Sequence, residues 1–405
     1  MECEPFCANS LTFVLDKIEG NPMKDLTKMR TWAEIDLDAL EENYHALRGL
    51  TAPGCKFLGL VKANGYGHGA VPVARKLQTL GADMLAVACL AEAKELRDAG
   101  ITLPILCLGQ TPRELAPMLL DYEVVQMVED LEAGRALSAA AVSAGKPQKI
   151  HVKLDTGMSR LGFRWNKGGD NTRLLDDIAA LCTLPGLEAE GLFTHFCEAD
   201  GSESFTMEQF TSFLDAKAAL TARGISFAIY HCGASAAVLN YPCTHLDMIR
   251  PGLLLYGCYP DPSLEGLAGK GLRPVMRLKS RICAVHDMPA GACVSYGRTA
   301  VLERDSRLAV VPIGYGDGYP RRLSNQMVME VRGVPCPIVG RVCMDMCMVD
   351  VTRVPDAQVG DVALVYGPGL TRRAAELDDT IEYELLCQVS PRVPRVYLER
   401  GAERE

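Results

Sequence analysis

The chain lacks the features that would direct it to nucleic acid or to a membrane. Its 42 Lys and Arg residues are outnumbered by 51 Asp and Glu residues, so the formal net charge is −9. Nucleic acid and anionic membrane surfaces select a basic excess, which is absent here. No apolar run reaches the roughly 18 residues of a membrane-spanning helix. We therefore expect neither nucleic acid nor a membrane as a partner, and a small molecule instead.

The cysteines lack the spacing of a metal site or of a disulfide framework. All 16 are scattered along the chain, without a paired C-x-x-C motif, which predicts reduced, mostly buried thiols and no metal site. The N-terminus also lacks a signal-peptide pattern, because residues 1–20 are acidic where a secretory signal needs basic residues. We expect a cytoplasmic protein.

The length of the chain and a change in its hydrophobic pattern predict more than one domain. A chain of 405 residues exceeds the size at which a single core usually stops growing. Residues 1–30 show no sustained hydrophobic period and are interpreted as an N-terminal extension. Strand-like and helical patterns alternate over residues 31–270, whereas residues 271–405 contain short β-branched runs punctuated by Gly and Pro. We predict strands over the runs 276–285, 308–313, 327–332, 344–351 and 362–366. The predicted fold is α/β, a (β/α)8 TIM-type barrel followed by a mostly β C-terminal domain.

The barrel prediction depends on a count of strands. Eight apolar runs are separated by amphipathic stretches such as 70–80, 91–99, 130–144 and 205–223. The eight runs are 56–61, 84–88, 104–108, 123–127, 149–154, 187–194, 226–231 and 246–250. A further strand at 31–37 exceeds this count, and it is a candidate for pairing with the second domain.

Ionisable residues stand where these strands end, which is where barrel enzymes place their chemistry. Lys62 follows the first strand, in the run Val61-Lys-Ala-Asn-Gly-Tyr-Gly-His-Gly. The other strand-end residues are Lys153, Asp155, Arg160, His195, His231 and Arg250. A barrel that needed only packing would not carry so many ionisable groups at one end.

The loops after the seventh and eighth strands have the character of an anion site. They read Cys232-Gly-Ala-Ser and Arg250-Pro-Gly-Leu, with a hydroxyl and unhindered backbone N–H groups. These glycines could also serve only to make tight turns. A lysine facing a phosphate pocket in one barrel suggests pyridoxal 5′-phosphate, whose aldehyde forms a Schiff base with an amine. A Schiff-base aldolase needs no cofactor phosphate site and is the weaker interpretation.

Several separated motifs now resemble the alanine racemases, pyridoxal-phosphate enzymes built from a barrel and a C-terminal β domain. The similarity runs from about Thr31 to Tyr397. The motifs begin with the run at Val61 and continue with Lys153-Leu-Asp-Thr-Gly-Met-Ser-Arg-Leu-Gly, Thr194-His-Phe, Arg250-Pro-Gly, Val294-Ser-Tyr-Gly, Gly314-Tyr-Gly-Asp-Gly and Cys343-Met-Asp. The resemblance implies interconversion of L-alanine and D-alanine, with D-alanine supplied for peptidoglycan. It also implies a homodimer whose active sites are shared between subunits.

The resemblance further implies a role for individual residues. Lys62 would hold the cofactor and act as one base, and Tyr296 of the other subunit would act as the second. Arg250 would meet the pyridine nitrogen, with His195 beside it, although a purely structural histidine is equally compatible with the sequence. The remaining implied positions are Tyr66, Ser235, Gly252 and Leu253 at the phosphate, Arg160 and Met344 at the substrate carboxylate, and Lys153, Tyr315 and Asp345 in support.

The chain departs from the family pattern at Pro391, where most members have a tyrosine that contacts the phosphate. Loss of that ring favours a second hypothesis, a serine/alanine racemase with relaxed selectivity. A cofactor-carrying regulatory protein is a further alternative, but a carrier needs no second base such as Tyr296. An amino-acid decarboxylase of the same barrel class would place a carboxylate, rather than Arg250, at the pyridine nitrogen.

Overall fold

A computed structural model of the chain describes residues 28–267, 269 and 271–400. These residues divide into two compact units. One unit is Leu37–Arg273, and the other takes the chain up to Asp36 and from Pro274 onward. Most of the predicted N-terminal extension, residues 1–27, lies outside the described residues. Strand β1 (Thr31–Asp36) belongs to the second of these units.

The first unit, called the barrel unit below, contains a ring of parallel strands. Its strands are β2 (Lys56–Leu60), β3 (Met84–Val87), β4 (Ile105–Cys107), β5 (Val124–Val128), β6 (Gln148–Asp155), β7 (Phe163–Arg164), β8 (Leu187–Phe193), β9 (Ile229–His231) and β10 (Met248–Ile249). Eight pair in the order β10-β2-β3-β4-β5-β6-β8-β9, and β7 pairs only with β6. A parallel bridge between Ala234 and Arg250 joins the two ends. The predicted eight-stranded barrel is confirmed.

Helical segments alternate with these strands. They are α1 (Leu37–Arg48), α2 (Lys62–Tyr66), α3 (Ala70–Thr79), α4 (Leu90–Asp98), α5 (Ala116–Asp121), α6 (Leu131–Ala144), α7 (Thr172–Cys182), α8 (Glu203–Ala222) and α9 (Ser235–Asn240). Leu40, Tyr44 and Leu47 recur at helical spacing in α1 and are buried. Asp130 caps α6 by accepting a hydrogen bond from the Ala133 N–H. Among the described residues, no helix has the length and apolar character to span a membrane.

The second unit, called the β unit below, is built on a nine-stranded sheet. Its strands after β1 are β11 (Met276–Arg281), β12 (Ala284–Met288), β13 (Cys293–Val294), β14 (Ala300–Val301), β15 (Ser306–Val311), β16 (Val328–Val331), β17 (Val334–Val339), β18 (Cys347–Asp350), β19 (Val362–Tyr366) and β20 (Arg395–Leu398). The order is β12-β15-β18-β17-β16-β19-β11-β1-β20, and β13 pairs with β14. Strand β1 pairs antiparallel with β11 and parallel with β20.

Two helices in the β unit were not predicted. They are α10 (Leu370–Asp378) and α11 (Glu382–Gln388). Helix α10 buries Leu370, Ala374 and Ala375 at helical spacing, a period that the Gly- and Pro-rich texture around it obscured. The predicted strand over 276–285 is also interrupted, because β11 ends at Arg281 and β12 begins at Ala284.

The prediction of mostly buried cysteines is wrong for the described residues. Fourteen cysteines are described and all are free thiols, but only six are buried. Another six are exposed, namely Cys89, Cys197, Cys243, Cys283, Cys293 and Cys387. Several of these stand in loops or at the ends of short elements, where a small side chain has no core to enter. Cys3 and Cys7 lie outside the described residues.

Candidate active site

Lys62 stands at the start of a strained turn directly after strand β2. The four residues that follow it have left-handed backbone angles, with φ near +50° to +60° at Ala63, Asn64, Gly65 and Tyr66. Three of these are not glycine, and left-handed geometry costs such residues about 1–2 kcal/mol each. Strain of this kind persists only where surrounding structure imposes it, and it concentrates at functional sites.

A carboxylate and an amide hold this turn in place. The Glu92 carboxylate accepts hydrogen bonds from the Ala63 and Ala88 N–H groups, both at 2.7 Å. The Asn64 Oδ1 accepts from the Ala70 N–H at 2.9 Å, which starts helix α3. Glu92 lies in helix α4, and nothing in the local sequence around Lys62 indicated this contact. The glycine-rich run therefore depends on a distant residue that sequence reasoning missed.

The anion pocket is assembled by two turns that meet at Gly252. A side chain there would place its Cβ 2.7 Å from the Tyr66 hydroxyl, so only glycine fits. The Gly252 N–H donates to the Ser235 Oγ at 3.0 Å, which leaves the serine O–H able to donate elsewhere. Leu253 begins a short 3-10 helix (Leu253–Tyr256), whose first N–H groups have no partner within the helix. The four predicted phosphate residues are thus neighbours.

Arg250 follows strand β10 and is only 3% exposed. One terminal nitrogen donates to the His231 Nδ1 at 2.9 Å. The other donates to the Thr194 and Cys232 carbonyls at 2.8 and 3.0 Å. Burial lowers the pKa of Arg250 to about 10, so the guanidinium stays charged at neutral pH. In the described part of the chain no acceptor is found for its Nε–H, which leaves that donor for a ligand.

His195 marks the point on which the predicted cations converge. Its Nδ1 lies 3.4 Å from a terminal nitrogen of Arg250. Burial, followed by the charges of Arg250, Arg160, Lys153 and Lys62, lowers the pKa of His195 to about 3. The imidazole is therefore neutral at physiological pH. Four cationic residues, carried at the ends of the three strands β2, β6 and β10, act on this one ring.

Lys153 is buried on strand β6, and its surroundings weaken its charge. Burial, together with the cations Arg160 and Arg250, lowers the pKa of Lys153 to about 8. The loop that carries Arg160 is shaped by Asp155, whose Oδ1 accepts from the Gly157 and Ser159 N–H groups at 3.0 Å each. Arg160 itself is exposed.

Glu129 is a buried carboxylate at the same strand edge that sequence reasoning missed. It follows strand β5 directly and acts electrostatically on Lys153. Burial raises the pKa of Glu129, and its Oε1 has no hydrogen-bond partner among the described residues. The rule that selected Lys62 and Arg250, an ionisable residue at a strand end, applies equally to Glu129 and would have found it.

Three of the predicted residues of the β unit are exposed, and Asp345 is half-buried. Tyr296 is 70% exposed, Met344 54% and Tyr315 44%. Tyr296 begins a short 3-10 segment after Ser295, whose φ of +65° is left-handed and whose hydroxyl donates to the Arg341 carbonyl at 2.7 Å. Each of these predicted side chains is therefore accessible to something outside its own unit.

A buried carboxylate, Asp317, organises the loops that carry these residues. It accepts hydrogen bonds from the Gly314 N–H at 3.0 Å, from Arg30 at 2.7 Å and from the Arg392 Nε at 2.8 Å. Arg392 also donates to Asp345 at 2.9 Å. The loop of Tyr315 and the loop of Met344 are joined in addition by a Gly316 N–H to Met344 carbonyl bond. Pro391 is exposed beside Arg392.

The residues of the barrel unit could hold one particular kind of group. The anion pocket suits a phosphate, the Nε–H of Arg250 suits an acceptor nitrogen, and the amine of Lys62 suits a carbonyl carbon. Within residues 28–267, 269 and 271–400, no cluster of three or more His, Cys, Asp or Glu side chains could hold a metal ion.

Comparisons with known proteins assign the family. The alanine racemase N-terminal domain model matches residues 35–260, and the C-terminal domain model matches residues 275–397. An alanine racemase from Desulfovibrio desulfuricans is 47% identical over 376 residues, which cover 91% of this chain and 98% of the relative. One from Clostridium perfringens is 42% identical over 379 residues, covering 92% and 96%.

Solved structures give the same assignment. The chain resembles alanine racemase from Clostridium difficile 630 with a TM-score of 0.88 and 38% identity, covering 92% of this chain and 97% of that chain. Biosynthetic alanine racemase from Pseudomonas aeruginosa gives 0.81 and 36%, covering 92% and 100%. Matching models over both units and close relatives over nearly the whole chain establish that this protein belongs to the alanine racemase family.

Proposed function

We propose that the protein interconverts L-alanine and D-alanine by a two-base mechanism with pyridoxal 5′-phosphate. The observation that carries this proposal is Arg250, a buried cation whose Nε–H has no acceptor among the described residues, at the same barrel end as Lys62 and the predicted anion pocket. When bound, the cofactor draws electron density from the substrate Cα and so makes its C–H acidic. The D-alanine would be formed in the cytoplasm and would be supplied for peptidoglycan.

In this proposal the barrel unit binds and orients the cofactor. The amine of Lys62 would hold the cofactor through its aldehyde carbon, with the aldehyde oxygen lost as water. Tyr66, Ser235 and Leu253 would donate hydrogen bonds to the phosphate, and Gly252, whose N–H donates to the Ser235 Oγ, would line the same pocket. These donors suit an anion without a cationic side chain, because turn N–H groups and a hydroxyl supply the positive ends of their dipoles.

Arg250 would determine which of the possible reactions of the bound substrate is favoured. A guanidinium that donates to the pyridine nitrogen disfavours protonation of that nitrogen. Arg250 would thereby limit the electron withdrawal that the cofactor supplies, which would favour brief removal and return of one proton over loss of the carboxylate. His195, neutral beside Arg250, adds no second positive charge. An amino-acid decarboxylase needs the reverse arrangement, a carboxylate at this position.

Racemisation needs a proton removed from one face of Cα and a proton returned to the other. Lys62 would serve one face and Tyr296 the other, which avoids a slow rearrangement of a single base. Tyr296 is 70% exposed on its own subunit, which suits a residue delivered to the site of a partner. The proposal is therefore a homodimer with shared active sites. A regulatory carrier of the cofactor would have no use for this second base.

The substrate carboxylate would bind to Arg160 and to the backbone at Met344. Lys153 would orient Arg160, and its lowered pKa makes the amine available for modification by carbon dioxide. Tyr315 and Asp345 would shape the substrate side of the pocket, because the Asp317 and Arg392 network holds their two loops together.

Pro391 supports a second candidate function, a serine/alanine racemase. The usual tyrosine ring is missing at this position, and the Ser390 N–H instead binds the Asp317 carbonyl at 3.0 Å. A smaller residue leaves room for the serine hydroxymethyl group. Racemisation of both enantiomers of alanine and serine, followed by chiral chromatography, decides between the two. A kcat/KM for L-serine more than about a thousandfold below that for L-alanine, about 4 kcal/mol of discrimination, excludes this candidate.

The main test is the substitution Lys62→Ala. The purified wild-type protein should absorb near roughly 420 nm, as a lysine-bound cofactor does, and the variant should lose both this absorbance and racemisation. Exchange of the alanine Cα–H for solvent deuterium should stop as well. Lys76, which lies in helix α3 and pairs with Glu41, gives the control Lys76→Ala. Normal deuterium exchange in Lys62→Ala would show the assignment to be wrong.

A further inference from the structure

The interior of the barrel carries a line of polar residues that the proposed mechanism does not use. Strand β6 alternates Lys149, His151, Lys153 and Asp155 on one face. Barrel interiors are ordinarily filled by branched apolar side chains. Lys153 and Asp155 lie at the end of the strand that belongs to the candidate site. Lys149, which is exposed, and His151, which is buried, lie nearer the beginning of the strand and require a separate explanation.

His151 reaches across a neighbouring strand to contact a third. Its Nδ1 lies 2.9 Å from the Nε2 of His231 on β9, although β8 stands between β6 and β9. The crossing occurs over Gly191 of β8. A Cβ at this position would lie 2.4 Å from the His151 Nδ1, so any side chain would displace the ring. Gly191 thus leaves the space in which the two histidines meet.

A β-bulge brings a carboxylate to the other side of the same ring. Ile150 pairs with Ala189 and His151 pairs with Gly191, so Glu190 is an extra residue in β8. Bulges of this kind redirect a side chain. The Glu190 Oε2 lies 3.3 Å from the His151 Nε2, and the Oε1 lies 2.7 Å from the Lys149 Nζ.

Arg250, His231, His151 and Glu190 form a chain of hydrogen bonds in which only one direction of donation is possible. Arg250 can only donate, so the His231 Nδ1 must accept and carries no proton. The His231 Nε2 then carries the proton and donates to the His151 Nδ1. The His151 Nε2 in turn donates to the Glu190 carboxylate. Both tautomers follow from the two ends of the chain.

The charges of this chain are confined to its ends. Burial lowers the pKa of His151 and lowers that of His231 well below its ordinary value, so both rings are neutral. The hydrogen bond from His151 is the largest of the effects that lower the pKa of Glu190 to about 2. The His231 ring is also stacked on Phe193, with centroids 4.7 Å apart. The chain therefore joins a buried cation to a carboxylate through two oriented neutral rings.

We propose that Glu190 is a positioning residue for Arg250, which acts through His151 and His231. The chain holds one terminal nitrogen of the guanidinium against His231 and thereby aims the Nε–H at the ligand. It also supplies a hydrogen-bonded path from Arg250 to a carboxylate. The inference rests on the proposed function, because Glu190 can position Arg250 for the cofactor only if Arg250 binds the cofactor. Glu190 itself lies outside the cofactor site.

Nitrogen NMR of the protein labelled with 15N-histidine tests the direction of the chain. The protein has only 7 histidines. The single variants His151→Gln and His231→Asn identify which pair of ring-nitrogen resonances belongs to each of these two histidines. At neutral pH both rings should be neutral, with the proton on Nε2 and none on Nδ1. A cationic ring, or a proton on Nδ1 of either histidine, would overturn the proposal whether or not the protein is a racemase.

Kinetics test whether the chain positions Arg250. Glu190→Leu should lower kcat by about 10–100-fold in both directions, the range seen when outer partners of site histidines are removed. The KM should change little, because Glu190 does not touch the substrate. Glu190→Gln keeps an acceptor for His151 and should retain more activity than Glu190→Leu. Glu188→Gln is the matched control, since this exposed carboxylate also acts on Lys149 but not on His151.

The outcomes separate this inference from the proposed function. If the wild-type protein racemises alanine and the Glu190 variants behave like Glu188→Gln, the positioning role is wrong and the proposed function stands. If the wild-type protein racemises neither alanine nor serine, both are wrong. If Glu190→Leu does not fold, Glu190→Gln decides, because equal kcat in this variant and in Glu188→Gln would overturn the role of the Glu190 charge.

Discussion

Arg250 in the barrel unit and Tyr296 in the β unit are both proposed to act on one substrate, yet their surroundings are opposite. Arg250 is 3% exposed and donates hydrogen bonds to a histidine and two carbonyls of its own unit. Tyr296 is 70% exposed. The barrel unit thus prepares its cofactor residues by itself, whereas the β unit presents a side chain outward. We therefore expect a substitution at Arg250 to lower both stability and activity, and a substitution at Tyr296 to lower activity with little change in stability.

The largest effect on stability is expected for Arg250→Leu. The substitution removes the donors for His231 and for the Thr194 and Cys232 carbonyls, and unsatisfied buried acceptors cost about 1–3 kcal/mol each. We expect the free energy of unfolding in urea to fall by about 3 kcal/mol or more. Racemisation should fall by about a hundredfold to a thousandfold, the scale of a lost preorganised donor. A variant with wild-type stability would contradict the buried network.

Tyr296→Phe should show the opposite behaviour. Loss of an exposed hydroxyl should change the free energy of unfolding by less than about 0.5 kcal/mol. Loss of a general base should lower racemisation by about 10²–10⁴-fold. Tyr383→Phe, in helix α11 of the same unit and without a role in the proposed function, is the control and should retain most activity.

Hybrid dimers sharpen this second prediction. Mixed Lys62→Ala and Tyr296→Phe subunits should recover about a quarter of the wild-type activity, because half the dimers are hybrids and each has one intact site. No recovery, with exchange of subunits verified by mass spectrometry, would show that the two bases belong to one subunit.

Lys153 gives a smaller effect that depends on pH. Its pKa is about 8 in the folded protein and 10.5 when unperturbed, so between these values the unfolded state binds more protons. The free energy of unfolding should therefore rise with pH from about 8 to 10.5, by about 3 kcal/mol for this group. Lys153→Met should lack this rise and be more stable than wild type at neutral pH.

Urea unfolding of wild type and Lys153→Met across this pH range, in buffer free of carbon dioxide, measures the difference. A carbamylated lysine no longer titrates, so equal pH dependence of both proteins would show that Lys153 does not carry the predicted charge.

The smallest effect is expected for Pro391→Tyr. This exposed residue of the β unit has little influence on stability, and a tyrosine should narrow the substrate pocket. The ratio of kcat/KM for L-alanine to that for L-serine should rise by about tenfold, the scale of one group in a pocket. Pro355→Tyr, at an exposed position in a loop that carries no candidate site residue, is the control. An unchanged ratio in Pro391→Tyr would remove the support for relaxed selectivity.

Sequence reasoning found the barrel because hydrophobic period and strand ends are local signals. It located Lys62 and Arg250 by the rule that chemistry collects at the carboxyl ends of parallel strands. It missed Glu92 and Glu190, because their partners are distant in sequence and one of them depends on a β-bulge. No local pattern predicts that a ring from β6 will cross over Gly191 to reach β9.

In the β unit, the short β-branched runs predicted strands but not the residues at which those strands begin and end. The run beginning at Met344 was predicted to be strand, yet β18 begins at Cys347. Met344 lies instead in a loop held by the Gly316 N–H and by Arg392. Apolar residues in loops with tertiary hydrogen bonds look like strand residues in sequence, and only the fold distinguishes them.

The left-handed turn after Lys62 has a consequence for the order of folding. Four successive residues in that conformation are unfavourable in an isolated segment by several kcal/mol, at about 1–2 kcal/mol for each non-glycine residue. The carboxylate that stabilises them arrives with helix α4, about thirty residues later in the chain. The nascent chain therefore cannot display a correctly placed Lys62 until β3 and α4 have formed. We expect cofactor capture to be a late event in biogenesis, which follows assembly of the barrel.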